Sequence, residues 1–275
     1  MKLFSQQLAN KTPLKSRPES PIIIIGMHRS GTTLTTLLLE DLGVSMGCEQ
    51  QISTSEDLFF QRLNELLLAL SNATWDNPKS FSSILKNQDW NLALTKVISH
   101  ELSKSKSIRF STNPCRQNKR KLWGFKDPRN TYTLPIWLNI FPNAKVINIL
   151  RNGESVASSL LNRGNNNLKE GKSLSLVSLS TSLSLDLWAE YVMEAHKNCS
   201  ALSDEQYFEL KYETLLESPE TTIRQILNFL EIDANQEEVN KAVSRVKYPN
   251  NHPVVKVKDI SATAQAALTF YGYDD

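Results

Sequence analysis

The chain has 275 residues, 40% apolar and 22% charged, enough for one large α/β domain and ordinary for a globular protein. With 31 basic against 29 acidic residues its net charge is +2, which excludes a global electrostatic case for nucleic acid or a membrane surface, so any anion site is local. Cys48, Cys115 and Cys199 are odd in number and widely spaced, which suits reduced thiols in a cytosol-like compartment better than a disulfide framework or a metal site.

Residues 1–20 lack the apolar core of a signal peptide and read as a flexible tail before a single domain over 21–275. No apolar run approaches the roughly 20 residues that span a bilayer. The expectation is a cytoplasmic protein without a transmembrane segment. Pro21 then opens Ile22-Ile23-Ile24-Ile25-Gly26, a β-branched run that reads as a strand buried on both faces. Gly26-Met27-His28-Arg29-Ser30-Gly31-Thr32-Thr33 follows, with the spacing of a phosphate-cradling loop that opens a helix. A tight strand-to-helix turn has the same glycines; the apolar strand before and the leucine-rich helix after favour the phosphate reading. NTP-binding loops carry lysine where Thr32 stands.

Leu34, Leu37, Leu38 and Leu42 recur at helical spacing, with Gly43 as the stop. Leu58, Phe59, Leu63, Leu66, Leu67 and Leu70 outline a second helix, started by Ser53-x-x-Glu56 or Thr54-x-x-Asp57 as a capping box. A helix over Trp90 to Leu102 precedes a basic, polar connection. Leu122 to Lys126 is a short strand, followed by Asp127-Pro128-Arg129 and a helix through Leu134, Trp137, Leu138 and Phe141. Lys145 to Leu150 is another buried strand, leading through Arg151-Asn152-Gly153 to a helix over Glu154 to Asn162. The run Leu174 to His196 begins with period-two alternation but is too long for a strand, and reads as a helix striped by Leu179, Leu183, Leu187 and Tyr191. Gln206 to Leu210 is a further strand, Pro219 starts a helix with Ile223, Ile226, Leu227 and Leu230 inward, and a short helix over Gln236 to Val246 precedes an irregular C-terminus. Strand, loop and helix in this succession imply an α/β fold: one domain with a central parallel sheet flanked by helices.

Ser155, Ser159 and Arg163 fall at i, i+4 and i+8 on one helix face, just after Arg151 at a strand end. A solvated helix face with a stray arginine explains that pattern alone. Beside the first loop it makes a second phosphate pocket.

PIIIIGMHRSGTTL followed by INILRNGESVASSLLNR resembles the 5′-phosphosulfate loop and the 3′-phosphate motif of the sulfotransferases that use 3′-phosphoadenosine 5′-phosphosulfate (PAPS). Lys126-Asp127-Pro128, Lys211-Tyr212-Glu213-x-Leu215 with Pro219, and Phe229-Leu230 agree. The RSGTT form is closer to the tyrosylprotein, carbohydrate and bacterial branches than to the small-molecule cytosolic enzymes. The resemblance implies the P-loop-like sulfotransferase fold, with PAPS as co-substrate and no metal. It puts the backbone of Met27, His28, Arg29, Ser30, Gly31, Thr32 and Thr33, with the Arg29 side chain, on the 5′-phosphosulfate. Arg151 and Ser159 take the 3′-phosphate, while Arg163 and Tyr212 match donor-contacting positions. Arg29 and Lys126 are the implied catalytic cations and Glu56 the implied base, with Glu49 and Asp127 as alternatives. The acceptor is a hydroxyl-bearing partner such as a carbohydrate or glycolipid, unnamed by the sequence, as is the oligomeric state. Two other readings compete: a magnesium-dependent P-loop nucleotide kinase or NTPase, and a non-catalytic nucleotide-binding protein.

Overall fold

The computed structural model describes residues 20–47, 50–51, 54–104, 122–247 and 254–274; residues 1–19 of the expected N-terminal tail, Ser53 and Glu49 lie outside them. In chain order come β1 (Ile22–Gly26), α1 (Thr32–Asp41), α2 (Leu58–Ala69), α3 (Lys79–Leu85), α4 (Gln88–Lys104), β2 (Gly124–Lys126), α5 (Asn130–Ile140), β3 (Lys145–Leu150), α6 (Gly153–Lys169), α7 (Thr181–Cys199), β4 (Tyr207–Lys211), α8 (Tyr212–Glu217), α9 (Pro219–Leu230), α10 (Gln236–Arg245) and α11 (Ala262–Tyr271).

The described strands form one sheet in the order β2-β1-β3-β4, every neighbouring pair parallel. The four isoleucines explain why β1 sits inside it. Ile23 and Ile25 point into a core with Phe60, Phe125, Trp137, Val146 and Trp188, while Ile22 and Ile24 point into another with Leu38, Leu39, Ile147, Leu210 and Ile223. Successive side chains of a strand face opposite ways, so an all-isoleucine strand needs helices on both faces. Helices α2, α5, α7 and α11 supply one cover; α1, α9 and α10 supply the other.

Four expectations are corrected. The C-terminus is not irregular: α11 packs Ala264, Ala267, Leu268 and Tyr271 into the core, started by Ser261 and stopped by Gly272 in the left-handed conformation. Its buried stripe is half alanine, and small side chains leave little periodic signal. Helix α6 runs on past Asn162 to Lys169. The run from Leu174 splits into a 3₁₀ turn (Leu176–Leu179) and α7, whose inward stripe keeps Leu187 and Tyr191 but leaves Leu183 51% exposed. Finally, the Thr54 capping box does not form. Asp57 itself caps α2, its Oδ1 accepting from the Phe59 and Phe60 N–H groups. At the end of α7, Cys199 is buried, and burial pushes its thiol up to about 12. Among the described residues no helix is long and apolar enough to cross a membrane.

Candidate active site

The chain between β1 and α1 folds as a tight loop because Gly31 adopts a φ of 102° as the N-cap of α1, and Arg29 a φ of 70°. A side chain at Gly31 has no room: a Cβ there would lie 2.3 Å from Cδ2 of Tyr212. No side chain caps α1. The N–H groups of its first turn therefore keep their hydrogen-bonding capacity for an anion, at the positive end of the helix dipole. Ser30 is buried with its Oγ unpartnered, a second orphan group in the same loop.

Met27 has no exposed surface, so only its main chain can serve a ligand. His28 is half-buried. Its ring packs 4.6 Å from that of Trp75 and its Nε2 has no partner. Burial, reinforced by Arg129 and Arg163, holds its pKa well below the usual histidine value, so the ring is neutral. Thr33 donates from Oγ1 to the Thr54 carbonyl at 3.0 Å.

Parallel pairing of β1 with β3 brings the second motif to this loop. Gly26 pairs with Ile149, which places Arg151 just beyond the sheet edge where the loop begins. Arg151 Nη1 donates to the Arg29 carbonyl at 3.0 Å, and its guanidinium lies 4.5 Å from the centre of the Tyr212 ring. Tyr212 thus buttresses both motifs, against Gly31 and under Arg151. The Trp188 indole N–H donates to the Arg151 carbonyl at 3.0 Å, fixing the strand end. Arg29 Nε donates to Ser159 Oγ at 2.9 Å.

A cavity of about 500 Å³ opens among Arg29, Thr32, Arg151, Ser155, Ser159 and Tyr212. Ser158 and Val254 also line it, and neither was singled out in the sequence. The C-terminal segment reaches Ser158 through a hydrogen bond from Val255 N at 2.8 Å, a contact across 97 residues that no local pattern announces. Among the described residues neither Arg29 nor Arg151 forms an ion pair. Burial and the neighbouring Arg163 and Arg151 charges lower the Arg29 pKa. This cluster of like charges calls for a multiply charged anion. Arg163 lines a neighbouring cavity, with its guanidinium 5.9 Å from the Trp75 ring.

Lys126 and Glu56 meet on the other side of Thr33. Lys126 is 1% exposed, and its Nζ donates to Glu56 Oε1 at 3.1 Å and to the Thr54 carbonyl. That carbonyl also accepts from Thr33, so it links Lys126 to the phosphate loop. Burial lowers the Lys126 pKa, with Glu56 acting against the shift. Both oxygens of Asp127 are occupied: Oδ1 accepts from the Arg129 N–H and guanidinium at 2.9 and 3.1 Å, and Oδ2 from Asn64 at 3.0 Å. Burial pushes its carboxyl up to about 6 although Arg129 opposes this. The arrangement gives Asp127 an anchoring part, holding Arg129 near Glu56 and Glu65.

The family model described as "Sulfotransferase family" matches residues 21–236, most of the chain and both anion motifs. The chain belongs to the sulfotransferase family. An uncharacterised protein of Aquifex aeolicus (strain VF5) is 26% identical over 239 residues. The match covers 84% of this chain but 28% of that relative, so the chain spans little more than a quarter of the longer protein. Among solved structures, sulfotransferase STF1 of Mycobacterium tuberculosis H37Rv superposes with a TM-score of 0.58 at 16% identity, over 90% of this chain and 75% of that one. The sulfotransferase domain of the Synechococcus PCC 7002 olefin synthase gives 0.53 at 18% identity, over 95% and 98%. The sulfotransferase domain from the curacin biosynthetic pathway gives 0.52 at 16%, over 94% and 99%. At these identities the likeness is one of fold.

Proposed function

We propose that this protein transfers the sulfuryl group of PAPS to an acceptor hydroxyl on a carbohydrate, glycolipid or other metabolite, releasing adenosine 3′,5′-bisphosphate. One observation carries the reading. The α1 loop, which suits a 5′ anion, and Arg151 with Ser159, which suit a 3′-phosphate, border one cavity of about 500 Å³. The uncapped first turn of α1, the orphan Ser30 hydroxyl and two arginines without carboxylate partners among the described residues fit a donor with anionic groups at both ends.

In this reading Arg29 and the main chain of residues 27–33 bind the phosphosulfate, Arg151 and Ser159 hold the 3′-phosphate, and Tyr212 fixes Arg151. Arg163 remains a donor contact by resemblance. Glu56 takes the acceptor proton, while Lys126 and Arg29 offset the charge that grows on the departing phosphate oxygen. The buried Lys126 Nζ lies 3.1 Å from Glu56 Oε1 and fixes the position of that carboxylate.

Calorimetric titration tests the donor assignment. Adenosine 3′,5′-bisphosphate should bind about 10–100-fold more tightly than adenosine 5′-monophosphate, the contribution of charged hydrogen bonds to one phosphate. Arg151→Ala should erase that difference while leaving the monophosphate affinity nearly unchanged. Equal affinities in the unaltered protein would remove the 3′-phosphate pocket and the reading with it.

A further inference from the structure

The cavity bordered by both anion motifs also contains an acidic side chain. Glu213, in the first turn of α8, lines it together with Arg29 and Arg151. A carboxylate beside a pocket suited to a multiply charged anion opposes binding unless it has another task. Glu213 has one on each oxygen. Oε1 accepts from the Asn152 main-chain N–H at 2.9 Å, and Oε2 accepts from Tyr273 Oη at 2.9 Å. The two guanidinium groups are directed elsewhere, Arg151 Nη1 to the Arg29 carbonyl and Arg29 Nε to Ser159 Oγ.

Asn152 follows Arg151, and the turn they form is held from several sides. The Trp188 indole N–H takes the Arg151 carbonyl at 3.0 Å. Asn152 Oδ1 caps α6 by accepting from Ser155 N at 3.0 Å. Gly153 lies close against Trp188, where a Cβ would fall 2.7 Å from the indole. Glu213 adds the hold on the Asn152 N–H, from a different strand end.

The group that orients Glu213 comes from beyond α11. Gly272, at a φ of 70°, turns the chain there, and Tyr273 N donates back to the Leu268 carbonyl at 2.8 Å. The Tyr273 ring meets Trp188 edge-on, 6.5 Å between centres, and Lys211 Nζ lies 5.5 Å from its centre. Burial and the adjacent Glu213 push the phenol pKa up, so the hydroxyl keeps its proton and acts as donor.

We propose that Tyr273 and Glu213 are positioning residues for Arg151, setting through the Asn152 N–H the turn that presents its guanidinium to the 3′-phosphate. The proposal rests on the sulfuryl-transfer reading above, in which Arg151 takes that phosphate. The effect travels through the main chain one residue from Arg151. It therefore falls on the 3′ end of the nucleotide and spares the 5′ end at α1.

The test is calorimetric titration of the full chain with adenosine 3′,5′-bisphosphate and with adenosine 5′-monophosphate. Tyr273→Phe removes one hydroxyl. It should lower the preference for the bisphosphate about three-fold or more, the worth of one hydrogen bond, with the monophosphate affinity unchanged. Glu213→Met should lower the preference too; a Glu213 that merely repels the nucleotide would raise it. In an Arg151→Ala background, Tyr273→Phe should change neither affinity further, because the group being positioned is gone. A hydrogen bond that serves folding alone would lower the unfolding midpoint of Tyr273→Phe and leave the preference intact. That result, an equal loss for both nucleotides, a raised preference in Glu213→Met, or a further loss in the Arg151→Ala background overturns the proposal. The donor reading survives each of these. No preference in the unaltered protein removes the donor reading, and this inference with it.

Discussion

Removing Lys126 alone leaves the Glu56 carboxylate, only 5% exposed, with the more distant Arg129 at 4.0 Å, and breaking a buried ion pair costs up to about 3–5 kcal/mol. Lost turnover in Lys126→Ala therefore does not separate catalysis from folding. The double variant Lys126→Met with Glu56→Gln does. It should recover most of the stability measured by denaturant unfolding yet remain inactive, because both the proposed cation and the proposed base are gone. Recovered turnover in that protein would dismiss both residues from the chemistry. His28 offers a pH test of the same loop. Its folded pKa lies well below 6.5, so below about pH 6.5 the unfolded chain binds a proton that the folded one refuses. Stability then falls with falling pH, by up to about 1.4 kcal/mol per pH unit. Asp127 acts oppositely: its folded value near 6 against an ordinary 3.8 makes stability fall as pH rises between those values. Comparing denaturant midpoints of the unaltered protein and His28→Asn from about pH 7.5 to about 5.5 cancels the Asp127 contribution. The unaltered protein should lose more.

At the level of elements, the start of α2 shows how one residue sets a functional neighbour. Asp57 caps the helix with its side chain while Glu56, immediately before it, turns toward Lys126. Asp57→Ala should destabilise the protein by about 1 kcal/mol, visible in thermal unfolding, and should reduce turnover as the Glu56 backbone loses its fixed entry into the helix. The same stretch marks a limit of sequence reading. Ser53, Thr54, Glu56 and Asp57 offer overlapping capping patterns, and only the tertiary pairing of Glu56 with a lysine 70 residues away selects among them. Strands β1 and β3 were legible because β-branched runs buried on both faces have few alternatives. Helix α11 was not, since alanines carry its buried face.

Across the whole molecule, parallel pairing does what sequence distance conceals. Arg29 and Arg151 are 122 residues apart, yet their strands are neighbours and both residues follow strand ends on the same sheet edge. That much of the candidate site could be read from two motifs and a fold class. The participation of Ser158 and Val254 could not, because it depends on where the C-terminal segment crosses α6. Nor could the Trp75 cavity, whose walls come from three separate stretches with no shared motif. A ligand that binds only the folded chain links its occupancy to global opening.

Cys199 turns that linkage into a chemical clock. Thiolates, not thiols, react with aromatic disulfides, and a thiol buried and raised to about 12 is almost wholly protonated at about pH 8. With Cys48 and Cys115 replaced by serine, labelling of the remaining thiol should proceed only as often as the protein opens. Adenosine 3′,5′-bisphosphate at about 100 times its Kd should slow labelling about 100-fold if opening releases the nucleotide. An unchanged rate would mean that the end of α7 frays by itself, leaving the nucleotide site closed.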